Sequence, residues 1–271
     1  MNFKTEFDTV GYVIVDDAID PAMVQSLLAA ARRVRKKFET DPERYSECAT
    51  LDEQGEFSCL SALLSPNLNE PIFADYLISA PVLKYAREYL GDEVRLGSVS
   101  IFTHKRSGYH LLWHRDIGNN NRRGTPEEEF KIFNVPTTHL RWHTALVDND
   151  SLHLVPRSHS RLRTDIESRA LIDNEDIDLP GETAITLRAG QTVYWNGWLI
   201  HRGIQAADKE RFTLVGGLCL YDPEEPQVPT NILEEWMLAP EVRAYLPESM
   251  KEMYDRWLDT QIPGTFYEIP R

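Results

Sequence analysis

Between Val94 and Tyr221 the chain carries seven short apolar runs, set apart by turn residues and joined by no helix-period segment. They are Val94–Thr103 (VRLGSVSIFT), Tyr109–His114 (YHLLWH), His139–Val147, Ser151–Val155, Thr183–Leu187, Thr192–Asn196 and Arg211–Tyr221. Turn signals such as Lys105-Arg106-Ser107-Gly108, Asp148-Asn149-Asp150 and Ala189-Gly190 separate them. Parallel neighbours would need crossover helices, so this pattern predicts an antiparallel barrel or sandwich and excludes a βαβ sheet.

The flanks read differently. Gly11–Val15 (GYVIV) is a short strand. Asp20-Pro21 then opens a helix, with Asp20 as N-cap, and Met23, Leu27, Leu28 and Val34 form its apolar stripe. A second helical region runs from Glu70 to Gly91, restarted at Ser79-Ala80-Pro81. Beyond Tyr221 a Pro-rich stretch leads into helical sequence loaded with Trp236, Met237, Tyr245, Met253, Tyr254 and Trp257. Those side chains either cap the core or form a homodimer contact. The expectation is one domain over residues 1–271: a helical N-terminal layer at about 16–91, a β core at about 92–221 and a helical C-terminal cap at about 222–271.

Charge narrows the partners. A net charge of −14 without a long Lys/Arg block argues against nucleic acid and against an anionic membrane surface. Three cysteines, Cys48, Cys59 and Cys219, follow no paired spacing and read as free thiols in a reducing compartment. With no secretory leader pattern and no apolar run long enough to span a bilayer, the expected location is cytoplasmic.

Chemistry concentrates in Trp113–Gly118, WHRDIG. In a strand, His114 and Asp116 point to one face, so an imidazole and a carboxylate project together with Arg115 turned away between them. Such a pair arises by chance too often to stand alone. His201, after the Gly turn and strand of AGQTVYWNGWLIHRG, could complete a 2-His-1-carboxylate set. Ten residues on, Arg211 and Thr213 again share a strand face, a guanidinium fork and a hydroxyl suited to a carboxylate.

The set His114-x-Asp116, His201 and Arg211-x-Thr213 resembles the iron(II)/2-oxoglutarate-dependent oxygenases, and more closely the phytanoyl-CoA dioxygenase-like family. Further stretches carry the likeness over roughly residues 8–221: GYVIVDDAIDPAMVQSLL, LLWHRD and LVDNDSLHLVPRSHSR. In the third, Asp150-Ser151 stands for the family's Asn-Gly pair and Arg157 for its turn glycine. The resemblance implies a mainly β chain with flanking helices around a double-stranded β-helix, the jelly-roll or cupin-like core. It implies iron(II) held by the catalytic residues His114, Asp116 and His201, 2-oxoglutarate as co-substrate against Arg211 and Thr213, and O2. The implied reaction oxidises an unactivated C–H of a small organic molecule, such as a natural-product intermediate, releasing succinate and CO2. Halogenating relatives carry a small residue at the carboxylate position, so Asp116 favours hydroxylation.

Other residues are assigned by position. His143, on a strand the family places near the barrel interior, is a candidate contact for 2-oxoglutarate or substrate. His104, Trp113 and Trp198 are candidate substrate contacts, and His159 and His153 read as structural. The polar segment Ile117–Thr138 is expected to border the substrate entrance as a loop. Two alternative readings stand beside this one: a cupin-type metal enzyme that does not use 2-oxoglutarate, and an inactive barrel serving as a binding protein.

Overall fold

A computed structural model describes residues 2–16, 18–116 and 124–267. The N-terminal layer begins with α1 (Phe3–Val10), which the sequence reading missed, and β1 (Tyr12–Val15). Helix α2 (Pro21–Thr40) starts as expected, with the Asp20 side chain accepting from the Met23 N–H. The short β2 (Cys59–Leu60) follows, then α3 (Ile72–Leu77) and α4 (Ala80–Leu90), the latter closed by Gly91 in positive φ.

Eight strands then form the barrel: β3 (Val94–Thr103), β4 (Tyr109–His110), β5 (His139–Ala145), β6 (Asn149–Leu154), β7 (Thr183–Leu187), β8 (Thr192–Trp195), β9 (His201–Gln205) and β10 (Phe212–Leu220). Two eight-residue helices interrupt them, α5 (Pro126–Phe133) and α6 (Asp165–Ile172), each opened by a Thr-x-x-Glu capping box. The larger sheet runs β1-β8-β5-β10-β3-β2 and the smaller one β4-β9-β6-β7. The chain passes back and forth between them, which makes the core a jelly roll.

Alternation decides where each side chain goes. On β5, β8 and β10 one set, with Leu140, Trp142, Tyr194, Leu214 and Leu218, faces the helices and joins one large apolar cluster. The other set, with Ala145, Val193 and Trp195, faces Leu152, Leu154, Ile185 and Leu187 of the smaller sheet. Gly216 lies on the helix side, where a Cβ would sit 2.3 Å from the Trp142 ring. That indole donates to Tyr76 Oη at 2.7 Å, and the phenol meets Thr144 Oγ1 at 2.7 Å, tying α3 to the sheet through buried polar groups.

The C-terminal segment is not wholly helical. It begins with β11 (Val228–Asn231), passes through a 3-10 turn at Ile232–Leu238, α7 (Pro240–Tyr245) and α8 (Glu248–Asp259), and ends in β12 (Gln261–Tyr267). Strands β11 and β12 pair in parallel. Met237, Met253, Tyr254 and Trp257 are buried in the same cluster as the barrel's helix-facing side, so the chain itself covers most of the apolar load that the sequence left open to a dimer. No helix among the described residues is long and apolar enough to cross a membrane.

Candidate active site

The stretch expected as one strand, Tyr109–His114, pairs regularly only at Tyr109–His110. His114 rejoins the ladder by itself, exchanging backbone hydrogen bonds with His201 at 2.9 and 3.0 Å. That pairing sets the two imidazoles side by side, ring centroids 4.1 Å apart. Asp116 is held by its own backbone, its N–H donating to Gly197 O at 2.8 Å. His114, Asp116 and His201 each present one ligand atom, and these lie within 4.8 Å of one another.

The histidines are set in the tautomer a metal needs. Nδ1 of His114 lies 2.8 Å from Leu112 O, and Nδ1 of His201 lies 2.8 Å from Leu199 O. A carbonyl only accepts, so each Nδ1 carries the proton and each Nε2 keeps a free lone pair. Burial pushes the His201 imidazole down to about 3, which keeps it neutral. Burial alone would raise the Asp116 carboxyl; His201, Arg141, His114 and His139 outweigh it and hold the group below its ordinary value. The donor set, two imidazole Nε2 atoms and one carboxylate on a half-open face, fits a divalent transition metal such as iron.

Behind the cluster, Arg115 turns away as strand alternation requires. It is buried, its Nε lies 3.0 Å from Glu129, it donates to the carbonyls of Ser158 and Trp198, and it lies over the Phe133 ring. Glu129 also takes Arg163, so α5 is clamped to the segment that carries His114 and Asp116.

Arg211 and Thr213 lie on the inner face of the larger sheet, both buried, with Arg211 Nε donating to Thr213 Oγ1 at 3.2 Å. The guanidinium stacks over Phe102 and Tyr109 at 4.8 and 5.4 Å. No carboxylate among the described residues pairs with it, and Nη1 is buried with no partner. Burial pulls it down to about 9, which leaves it charged at neutral pH. A buried, unpaired guanidinium fork fits the carboxylate of a bound co-substrate. His143 sits on the same face, its ring 5.8 Å from Phe102 and 5.5 Å from Trp195, which in turn lies 4.5 Å from His201. Inner-face residues thus form a continuous path from Arg211 to the His–Asp–His cluster.

The three other sequence candidates lie apart from that path to differing degrees. Trp198 adjoins it: its ring is 6.4 Å from His139, and the next residue back, Gly197, packs on Asp116. Trp113 is buried in a separate apolar cluster with Val155, Leu171 and Ile200, donating to Ile177 O at 2.8 Å beneath the Arg202 guanidinium. His104 meets Phe212 edge to face, ring centroids 5.9 Å apart, and lines a surface cavity with Arg35, Glu39 and Phe57. Residues 117–123 of the expected entrance loop, Gly118 included, lie outside the described residues, and the rest of that segment contains α5 rather than loop alone.

Two side chains that the sequence did not single out complete the site. Arg141 donates to Asp116 Oδ2. His139 Nε2 would lie 3.6 Å from a Cβ at Gly197, and burial pushes its imidazole down to about 4. Both follow from strand alternation, since 139, 141 and 143 share a face of β5. Arg141 also borders a cavity of about 550 Å³, walled by β3 on one side and by the C-terminal segment on the other.

Solved structures share this architecture. The chain overlays EctD from S. alaskensis, crystallised with 2-oxoglutarate and 5-hydroxyectoine, at a TM-score of 0.60 and 18% identity, covering 80% of this chain and 75% of that one. HygX from Streptomyces hygroscopicus, with nickel and 2-oxoglutarate bound, gives 0.59 and 15%, covering 84% and 88%. The epimerase SnoN, in complex with Fe3+, alpha ketoglutarate and nogalamycin RO, gives 0.55 and 16%, covering 80% and 82%. No curated protein sequence matches. The family model for phytanoyl-CoA dioxygenase matches residues 7–211. A match over that much of the chain decides membership: the protein belongs to the phytanoyl-CoA dioxygenase family and is an iron- and 2-oxoglutarate-dependent oxygenase.

Proposed function

We propose that this oxygenase hydroxylates an unactivated C–H of a small organic molecule, with His114, Asp116 and His201 as its iron ligands. Arg211 and Thr213 take the far carboxylate of 2-oxoglutarate, and His143 lies alongside it as a neutral imidazole, its pKa pushed by burial to about 4. The observation that carries the reading is Arg211. Keeping a guanidinium buried beside aromatic rings with a vacant N–H is costly by several kcal/mol unless an anion arrives to pair with it. The absence of a carboxylate partner among the described residues speaks against a cupin-type enzyme that does without 2-oxoglutarate.

Bound iron would supply oxygen activation, with 2-oxoglutarate giving up two electrons as it becomes succinate and CO2. The chain supplies placement. Nδ1–H bonds to Leu112 and Leu199 aim both Nε2 lone pairs at one point. Arg141 donates to Asp116 Oδ2, the oxygen that lies 3.7 Å from His201 Nε2, and so holds the carboxylate beside the histidines. Asp116 occupies a coordination position that a halide would need, which favours hydroxylation. The mixed charges of the neighbouring cavity, Arg95 and Arg141 with Glu225 and Glu234, suit a small polar molecule better than the phosphates of a CoA ester. Such a molecule fits the role of a natural-product intermediate. We read helical layer, barrel and C-terminal segment as one oxygenase unit, because they share one apolar cluster.

Succinate release from 2-oxoglutarate, measured with iron(II) and O2, tests the reading. Wild-type protein is expected to release succinate well above the level of His114→Ala and His201→Ala. Equal release by both variants would sink the ligand assignment.

A further inference from the structure

The cavity beside Arg141 is electrically polarised, and we propose that the substrate it takes is a zwitterion, with a carboxylate against Arg141 and an amino group against Glu234. This rests on the oxygenase reading above.

The cavity, about 550 Å³, is the right size for a small molecule. Ser98 and Ser100 line its β3 wall; Trp236 and Trp257 line the wall formed by the C-terminal segment. Two cations and two acids border it. Arg95 has its charge balanced by Glu225, Nη2 donating to both carboxylate oxygens at 3.1 and 3.2 Å, although its Nε is buried without a partner among the described residues. The surplus therefore lies with Arg141 and Glu234.

Arg141 spends one N–H on Asp116, and the rest of its fork meets no other partner among the described residues. Its side chain is 40% exposed, toward the cavity it lines. Once the metal binds, the balance changes in its favour. Iron(II) and Arg211 together offset the charges of Asp116 and of 2-oxoglutarate, so Arg141 is left as an uncompensated cation. One surplus charge matches a carboxylate; a phosphate monoester would bring nearly twice that.

Glu234 stands on the opposite wall, in the 3-10 turn at Ile232–Leu238. It has no hydrogen-bond or salt-bridge partner among the described residues, and burial raises its carboxyl, with Arg95 only partly opposing the shift. A half-buried carboxylate in that condition gains most from a cationic donor. The lining of the cavity thus holds, among the described residues, one cation and one acid that are not paired with each other or with a salt-bridge partner inside it.

The test uses anaerobic protein loaded with iron(II) and 2-oxoglutarate, and reads its melting temperature. The probes are the common L-amino acids and the ω-amino acids from β-alanine upward, each beside its N-acetyl derivative and its primary amide. At least one free amino acid should raise the melting temperature, with its two derivatives needing about tenfold higher concentration for the same shift. Arg141→Gln should then lose discrimination against the amide, and Glu234→Gln discrimination against the N-acetyl form. Glu234→Gln, which touches no iron ligand, should keep the wild-type affinity for 2-oxoglutarate, and Arg141→Gln is read only by its ratio between each amino acid and its amide. Derivatives that bind as well as their parents, a panel with no stabilising amino acid, or full discrimination retained in both variants would each overturn the proposal. If iron and 2-oxoglutarate fail to stabilise the wild type, the oxygenase reading falls first and this one with it.

Discussion

Arg211 is where stability and function pull apart. Its charge is buried without a counter-ion, so the ligand-free protein carries a desolvation penalty that only a bound anion relieves. Arg211→Met should therefore stabilise the ligand-free protein by about 1 kcal/mol or more in urea unfolding, while weakening 2-oxoglutarate at least about tenfold. Loss of stability with unchanged co-substrate affinity would contradict that account. Arg157 is a second strained residue, with φ at +64° in the turn before the 3-10 segment Ser158–Ser160 and its side chain exposed. The family's glycine there suits the backbone better, so Arg157→Gly should raise stability by about 1 kcal/mol, read from the same urea midpoint. At this scale the sequence was informative where residue types are scarce. His114 and Asp116 are marked by their spacing of two, and gain weight only together with His201 and Arg211-x-Thr213. Arg141 is not so marked, because an arginine beside two histidines on a strand looks the same on either face until the register of β5 against β8 is known.

Among the elements, α5 shows how the site is braced from behind. Glu129 on that helix is buried and compensates two buried guanidiniums, Arg115 and Arg163. Glu129→Ala leaves both uncompensated and should cost about 3–5 kcal/mol of unfolding free energy, against well under 1 kcal/mol for an exposed acid such as Glu127→Ala on the same helix. The helix was hidden in sequence by its shortness: eight residues hold little periodicity, although Thr125-Pro126-Glu127-Glu128 is a complete capping signal. Strand β9 was hidden for another reason. Arg202 occupies a buried position, made tolerable by Glu182 and Asp178, and so breaks the apolar pattern that marks a strand. Of the strands that were legible, β7 has its polar and apolar positions set by solvent and core alone.

Over the whole molecule, one sheet does two jobs with its two faces. Its outer face binds the helices and the C-terminal segment into a single cluster, and its inner face carries Trp195, His143, Thr213 and the approach to the His–Asp–His cluster. An antiparallel barrel or sandwich was legible because repeated strands and turns leave few other folds, and the family resemblance narrowed it to a jelly roll. The parallel pair β11–β12 was not, since its pairing is long-range and its sequence is Pro- and Gly-containing. The central claim is that three side chains on one rim hold iron while Arg211 anchors 2-oxoglutarate across the barrel. The visible charge-transfer band formed when iron(II) and 2-oxoglutarate are added without oxygen tests both halves at once. Wild-type protein should develop the band, Asp116→Ala and His201→Ala should not, and Arg211→Met should need at least about tenfold more 2-oxoglutarate to reach half intensity. A full band in the two ligand variants, or none in folded wild-type protein, would contradict the account.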